Sequence, residues 1–346
     1  MKKRVLICIN EFFANSIGVS LINLLNRLDY TFIDVDLIFV KSQTNMLNQI
    51  PSSVNIIESP FDTSKINFFY KLKNRNKYDF SLMYDVGDVK LSEFVINSSK
   101  NNALYLHKNY RGIYVVDSTY YNFVNAHAIL KFNTLLFSNE KIKGEFIRLH
   151  ELHADKCKVL EYLVDEKHIQ DLAKVGISVD KPNHRTLFVS VGTLNDRAKN
   201  FTLMIKMMQS LVKINNHVEL WILGDGPDLV NIKMLVKQCG LDDFIKLYGF
   251  KNNPYPYMKM ADYYLNTADN YDSSTALMEA RVLEKPIITT NPADQRENVY
   301  VVSPDPNKIA NEVNNILVNK VSFKGINNFW EENQHILKKF ESLIGR

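Results

Sequence analysis

The residues best suited to chemistry lie between Val191 and Thr290. One apolar run ends at Gly192-Thr193-Leu194, a polar loop carries Arg197 and Lys199, and a second apolar run ends at Gly224-Asp225-Gly226-Pro227. Glycines at strand ends admit close backbone approach, and a lysine supplies a compact positive charge to a phosphate. The chemistry such a pair could do is to hold a diphosphate. Each turn taken alone reads equally as an ordinary strand-to-helix turn with a solvated lysine. Further along, Asp272, Ser273 and Ser274 form an N-cap cluster, and the helix behind them offers free N–H groups as an anion site. Glu279 lies about one and a half turns into that helix, able to reach a ribose hydroxyl if a cleft runs alongside, or else a surface glutamate. In the N-terminal half, His107 follows the apolar run Leu104-Tyr105-Leu106. A histidine at a strand end is either a hydrogen-bonded structural residue or a cleft-facing functional one.

The scaffold that must position these residues is written in the apolar pattern. Residues 5–9 form a short apolar run closed by Asn10 and Glu11, as expected of a buried strand. Residues 13–28 have helical spacing, and 34–40 read as a second strand. Strand, helix, strand at this spacing is the βαβ unit of a parallel sheet. Further strands are expected at 81–84, 103–106 and 134–137. A polar, proline-containing stretch at 177–186 reads as a linker, after which the rhythm restarts. Strands are expected at 187–191, 218–223, 245–248, 263–265 and 286–289, with helices at 201–214, 228–238, 274–283 and 327–344. The pattern predicts an α/β protein of two Rossmann-like, doubly wound parallel-sheet domains facing a cleft. The N-terminal domain spans 1–180, the C-terminal domain 187–325, and a helix over 326–346 crosses back to the first domain.

Composition narrows the function classes. At 346 residues the chain exceeds the usual size of one core. Its 46% hydrophobic and 23% charged residues, with a mean hydropathy of −0.19, are those of a soluble globular protein. A formal charge of +4 is too mild to call for nucleic acid, and no RNA-binding motif occurs. Met1-Lys2-Lys3-Arg4 begins like a secretory leader, but the apolar run behind it is too short for one. No segment has the length of a membrane span. Cys8, Cys157 and Cys239 lack metal or redox spacing and fit a reducing cytoplasm.

Read in order, the motifs make a series. It runs Gly192-Thr193-Leu194, Lys199-Asn200, Gly224-Asp225-Gly226-Pro227, Leu247-Tyr248-Gly249-Phe250, Ala261-Asp262, Leu277-Met278-Glu279-Ala280 and Lys285-Pro286-Ile287-Ile288-Thr289-Thr290. This resembles the C-terminal domain of the group 1 retaining glycosyltransferases, family four, of the GT-B architecture. The resemblance is close over 187–292; the N-terminal half shares the rhythm more than the motifs. It implies that Lys199 and the N–H groups of Ser274, Thr275 and Ala276 hold a nucleotide diphosphate, and that Glu279 bonds the ribose. The backbone near Phe250 and Lys251 would pack against the base, His107 would contact the transferred sugar, and Gly18 would approach the phosphates or sugar. The implied reaction moves a sugar from a nucleotide-diphosphate donor, a UDP-sugar first, to a hydroxyl of a cell-surface polysaccharide or lipid-linked glycan, with retention. Fixed positive groups would do a metal's work, so no metal or other cofactor is expected.

The chain departs from the family pattern in places. Thr193 stands where the family has arginine, with Arg197 the nearest replacement. Tyr271 stands where the family has the first of two glutamates eight positions apart, the second being Glu279. Asp269 and Asp272 are the available substitutes. Glu284 replaces a glycine before Lys-Pro. Thr193 and Tyr271 keep open a second reading, a non-catalytic partner subunit with a degenerate donor site. A nucleotide-sugar epimerase of the same architecture is a third.

Segment 65–77 (KINFFYKLKNRNK) interleaves aromatic residues with five cations and no acid. It suits docking on an anionic membrane surface, at about 1 kcal/mol per basic residue, or a solvated helix face. Resemblance to enzymes with lipid-linked acceptors favours the first, and with it a peripheral position on the inner face of a membrane. Asp34-Val35-Asp36 superficially matches a metal-binding DxD motif, but strand alternation explains it. His150 and His153 lack a third ligand, so no metal site is expected there.

Overall fold

The computed structural model describes residues 2–13, 15–42, 44–57, 76–87, 89–107, 129–150, 154–268, 275–291, 299–305, 308–319 and 329–345. The chain divides into two compact units, residues 1–164 with 330–346, and residues 165–329. Among the described residues, no helix is long and apolar enough to cross a membrane.

The first unit is built on seven parallel strands: β1 (Lys3–Phe12), β2 (Ile33–Ser42), β3 (Val54–Ile56), β4 (Phe80–Tyr84), β5 (Asn102–Leu106), β6 (Thr134–Phe137) and β7 (Cys157–Val159). Their order is β3-β2-β1-β4-β5-β6-β7. The order reverses between β1 and β4, which puts a topological switch point at their carboxyl ends. β1 runs past the expected end at Ile9 as far as Phe12, which is buried and stacks on Phe39 of β2 at 6.0 Å. Asn10 and Glu11, whose polarity suggested a break, still belong to the strand, and Glu11 pairs in register with Lys41. The first helix therefore begins at Ser16, not Phe13. Asn15 caps it, its side chain accepting from the N–H groups of Ile17 and Gly18 at 3.1 and 3.0 Å.

The C-terminal helix Phe329–Ile344 packs into this unit. Ile336, Phe340 and Ile344 join the core lined by β1, β2 and β4, and Phe340 meets Phe80 edge-on at 6.1 Å. Asn333 exchanges two hydrogen bonds with the backbone of Val164, at 3.0 and 2.8 Å.

The second unit has six parallel strands: β8 (Thr186–Val191), β9 (Val218–Leu223), β10 (Ile245–Gly249), β11 (Tyr263–Asn266), β12 (Ile287–Thr289) and β13 (Val299–Val301). Their order, β10-β9-β8-β11-β12-β13, reverses between β8 and β11. Helix Phe201–Ile214 buries Phe201, Met204, Ile205, Met207, Met208 and Leu211, one face at helical spacing. Residues 165–180 group here and not with the N-terminal domain. Helix Glu166–Leu172 packs against helices Tyr255–Met260 and Thr275–Val282, and Asn253 Nδ2 donates to Leu172 O at 2.9 Å. The stretch 177–186 thus lies inside the second unit, leading into β8.

Two motifs of the series serve this framework. Asp262 Oδ2 accepts from the Leu187 N–H at 2.9 Å, and Lys181 donates to its Oδ1 at 2.5 Å, which fixes the start of β8. Lys285 Nζ donates to the carbonyls of Lys259 and Ala261 at 2.6 and 2.8 Å, closing the end of helix Tyr255–Met260. Beside it Glu284 adopts φ +55°, the left-handed C-terminal turn that favours glycine. Replacing it relieves that conformation, so Glu284→Gly is expected to stabilise the unit by about 1 kcal/mol. That is a rise of about 2–4 °C in the thermal midpoint for a unit of this size. A lower midpoint would contradict it.

Candidate functional site

Because the second sheet is parallel, the carboxyl ends of its strands share one edge. There β8 and β9 run directly into Gly192 and Gly224, and β10 ends at Gly249. The Gly192 N–H donates to Leu223 O at 3.0 Å, and the Gly224 N–H to Gly249 O at 2.9 Å. A Cβ on Gly224 would stand 1.9 Å from Gly192 O, and one on Gly226 would stand 2.5 Å from Leu194 O. The Leu194 N–H donates to Asp225 O, and the Asp228 N–H to Leu194 O, both at 3.0 Å. The Gly-Asp-Gly turn is therefore required by one loop packing backbone-on-backbone against the next.

This packing sets the frame for Lys199. The polar loop forms a short helix, Asp196–Lys199, and then Asn200 turns left-handed at φ 53°. Asn200 caps the helix that follows, accepting from the Leu203 N–H at 3.2 Å. Asp196 accepts from the N–H and hydroxyl of Thr202 at 2.7 and 2.6 Å. From the end of β11, across the switch point, fully buried Thr267 shares its hydroxyl proton between Lys199 O (3.1 Å) and Asn200 O (3.0 Å). Lys199 lies over Gly192: a Cβ there would be 3.3 Å from Lys199 Cε and 3.9 Å from Nζ. Thr193 and Arg197 are exposed on the same loop. In the sequence nothing marks Thr267 except its place just after the apolar run at 263–265.

Phe250 follows β10 at the same edge and is 51% exposed. The Lys251 ammonium sits 6.0 and 5.8 Å from the ring centroids of Tyr248 and Tyr257, a cation–π placement. Those rings rest on Trp221, whose Nε1 donates to Glu219 at 2.7 Å, and Glu219 pairs with Arg185 at 3.1 Å. Tyr271 and Ser274, with Asp269, Asp272 and Ser273, lie outside the described residues. Thr275 and Ala276 open helix Thr275–Val282 and are buried.

Glu279 is 7% exposed, so it is not a surface glutamate. Tyr255 OH donates to its Oε1 at 3.4 Å, and the Thr275 side chain also hydrogen-bonds it. Burial pushes its pKa up to about 7, with those two hydrogen bonds pulling the other way. A carboxyl raised in the folded state favours folding fully at pH values below its unfolded pKa. That contribution is lost as pH rises towards about 7. Wild type is expected to lose about 3 kcal/mol relative to Glu279→Gln between pH 4.5 and 7. Urea denaturation of both proteins across that range checks it; parallel pH profiles would contradict the burial argument.

In the first unit, Gly18 and His107 also follow carboxyl ends, those of β1 and β5. A Cβ on Gly18 would stand 2.0 Å from Phe13 O, and its N–H already donates to Asn15. His107 is 4% exposed and sits among three tyrosine rings, with centroids at 4.0 Å (Tyr105), 4.6 Å (Tyr84) and 5.6 Å (Tyr162). Its Nδ1 lies 2.9 Å from Tyr162 OH.

The remaining motifs find local explanations. Asp34 pairs with Lys2 at 3.1 Å, and Asp36 accepts from Asn55 and Tyr78, both at 2.7 Å. His150 packs on Phe146 at 4.3 Å, while His153 and residues 65–75 lie outside the described residues. Among the described residues no cluster of three or more His, Cys, Asp or Glu could hold a metal. A groove of about 770 Å³, lined by Lys181, His184, Arg185 and His217 among others, lies at the opposite, amino edge of the second sheet.

Residues 185–319 match the family described as Glycosyl transferases group 1. The chain is 27% identical over 159 residues to an N-acetylgalactosamine-N,N'-diacetylbacillosaminyl-diphospho-undecaprenol 4-alpha-N-acetylgalactosaminyltransferase of Campylobacter jejuni. That alignment covers 45% of this chain and 41% of the relative, so the chain spans less than half the length of the curated protein it matches. In structure it is similar to Anabaena HepE in complex with UDP and glucose, with a TM-score of 0.74, 14% identity, and coverage of 98% of this chain and 100% of the other. It is also similar to the lipopolysaccharide outer core galactosyltransferase WaaB in its apo form, with a TM-score of 0.68, 15% identity and coverage of 99% of both chains. At these identities the structural likenesses establish the fold: two parallel-sheet α/β units of the GT-B kind.

Proposed function

We propose, from the premise that residues 185–319 form a group 1 glycosyltransferase domain, that the protein is a retaining glycosyltransferase using a UDP-sugar. The observation that carries the proposal is Lys199 laid over Gly192 at the carboxyl edge, its backbone held by Thr267 across the switch point. A cation, an approachable backbone and the start of helix Thr275–Val282 at one sheet edge suit a diphosphate. UDP as the nucleotide is supported by the HepE complex, and a lipid-linked glycan acceptor by the name of the Campylobacter relative.

In this reading Lys199 and the N–H groups of Ser274, Thr275 and Ala276 neutralise the diphosphate, Glu279 binds the ribose, and Phe250 and Lys251 flank the base. The bond from the anomeric carbon to the phosphate oxygen breaks as the acceptor oxygen bonds the same face. The acceptor's proton passes to the departing phosphate, and UDP leaves. Charge grows on that phosphate in the transition state, where fixed positive groups act most strongly. His107 contacts the transferred sugar. Segment 65–77 places the protein on an anionic membrane surface, which co-sedimentation with anionic against neutral vesicles tests.

Thermal unfolding with UDP, GDP, ADP and their common sugars tests the donor. A ligand at 100 times its Kd adds about 2.7 kcal/mol. Stabilisation by uridine nucleotides alone is the expected result. No stabilisation by any nucleotide would overturn the proposal and favour a non-catalytic partner subunit.

A further inference from the structure

We propose that Tyr162 is a positioning residue that holds His107 as its Nε2–H tautomer, so that His107 meets the sugar as a hydrogen-bond donor and not as a base. The donor role rests on the reading of His107 as the sugar contact; the tautomer does not.

The contact between Tyr162 OH and His107 Nδ1, at 2.9 Å, can be built in two ways. Either the phenol donates to a bare Nδ1, or Nδ1–H donates to the phenol oxygen. A phenol, with a pKa near 10, is a far more acidic donor than a neutral imidazole N–H. A bare imidazole nitrogen, whose conjugate acid has a pKa near 6.5, is a far stronger acceptor than a phenol oxygen. The first arrangement pairs the better donor with the better acceptor, and it leaves the ring proton on Nε2.

The other two tyrosine hydroxyls in the cage are committed elsewhere. Ser20 Oγ donates to Ile17 O at 2.8 Å, so in its 3.0 Å contact with Tyr84 OH the tyrosine is the donor. Tyr105 OH donates to Leu160 O. Their rings flank the imidazole at 4.6 and 4.0 Å and fix its plane, while Tyr162 fixes its proton. Tyr162 is itself 8% exposed and held in a short segment between β7 and Val164, whose backbone Asn333 ties down. Once one ring nitrogen has a fixed partner, the other has a fixed role.

The test is histidine-selective ¹⁵N NMR of the full chain near pH 7, with the His107 signals identified by their loss in His107→Gln. The expected spectrum has a protonated Nε2 and a bare Nδ1, and Tyr162→Phe shifts both signals towards a mixture of tautomers. An Nδ1–H ring, a doubly protonated ring, or unchanged signals in Tyr162→Phe would overturn the proposal. If Tyr162→Phe does not fold, the wild-type tautomer decides alone. In transfer assays Tyr162→Phe lowers kcat by about tenfold and leaves the donor KM within about twofold. His107→Gln, whose amide can donate, outperforms acceptor-only His107→Glu; the reverse order would sink the donor role. The expected spectrum without turnover on any donor would instead overturn the transferase reading and leave the tautomer assignment standing.

Discussion

Lys199→Ala is expected to lower kcat/KM for sugar transfer by about 10²–10³, and to remove most of the stabilisation by UDP. Losing one fixed donor to developing negative charge in a preorganised site costs about 3–4 kcal/mol, far more than a solvated surface pair, worth about 0–1 kcal/mol. In the proposed site Lys199 would fall in the first class, because its backbone is fixed. Thr267 holds its carbonyl, Asn200 turns the chain immediately after it, and its stem lies along Gly192. Arg197 is exposed two residues away and has no such support, so it is not expected to compensate. The side chain is only partly buried, so the stability without nucleotide should change by no more than about 0.5 kcal/mol. Transfer kinetics and thermal unfolding with and without UDP decide the matter. Near-wild-type turnover would remove Lys199 from the site.

Gly224→Ala is the second large effect, and it acts on stability. Its Cβ would stand 1.9 Å from Gly192 O, and φ is +145°, so the clash cannot be relieved by rotating a side chain. The loops after β8 and β9 would have to separate. A backbone clash on top of a forbidden conformation costs about 3 kcal/mol or more, a fall of about 6–12 °C in the midpoint for a unit of this size. Gly240→Ala is the control. Gly240 also has positive φ, +66°, but nothing lies within 4 Å of its added Cβ. It should lose only about 1 kcal/mol, the cost of the left-handed conformation. Equal losses in the two variants would show that conformation and not contact sets the requirement. Because Gly192 is the other side of the contact, Gly224→Ala should also weaken UDP binding through displacement of the Lys199 loop.

Much of this is legible in the sequence. Strands buried on both faces read as continuous apolar runs, and 187–191, 218–223 and 81–84 coincide with β8, β9 and β4 to within a residue. The apolar pattern does not mark the short strands β3, β7 and β13 or helix Ile309–Asn319. These three strands carry too little apolar periodicity to stand out, and what makes them strands is their neighbours. The apolar pattern places the start of the first helix three residues too early for a related reason. Phe12 is held in β1 by Phe39, which is far away in the chain.

The sequence by itself determined the alternation that makes two parallel α/β units, and the order of motifs along the second. A local pattern suffices there because burial and capping act over a few neighbouring residues. The tertiary structure alone decided what each motif touches. It assigned Asp262 and Lys285 to the framework, set Gly224 against the Gly192 carbonyl, and turned Glu279 inward to Tyr255. It brought Thr267 to the Lys199 backbone and Tyr162 to His107, partners 68 and 55 residues apart in sequence. Such pairings depend on which strand ends become neighbours, and that follows from sheet order, which no local periodicity encodes.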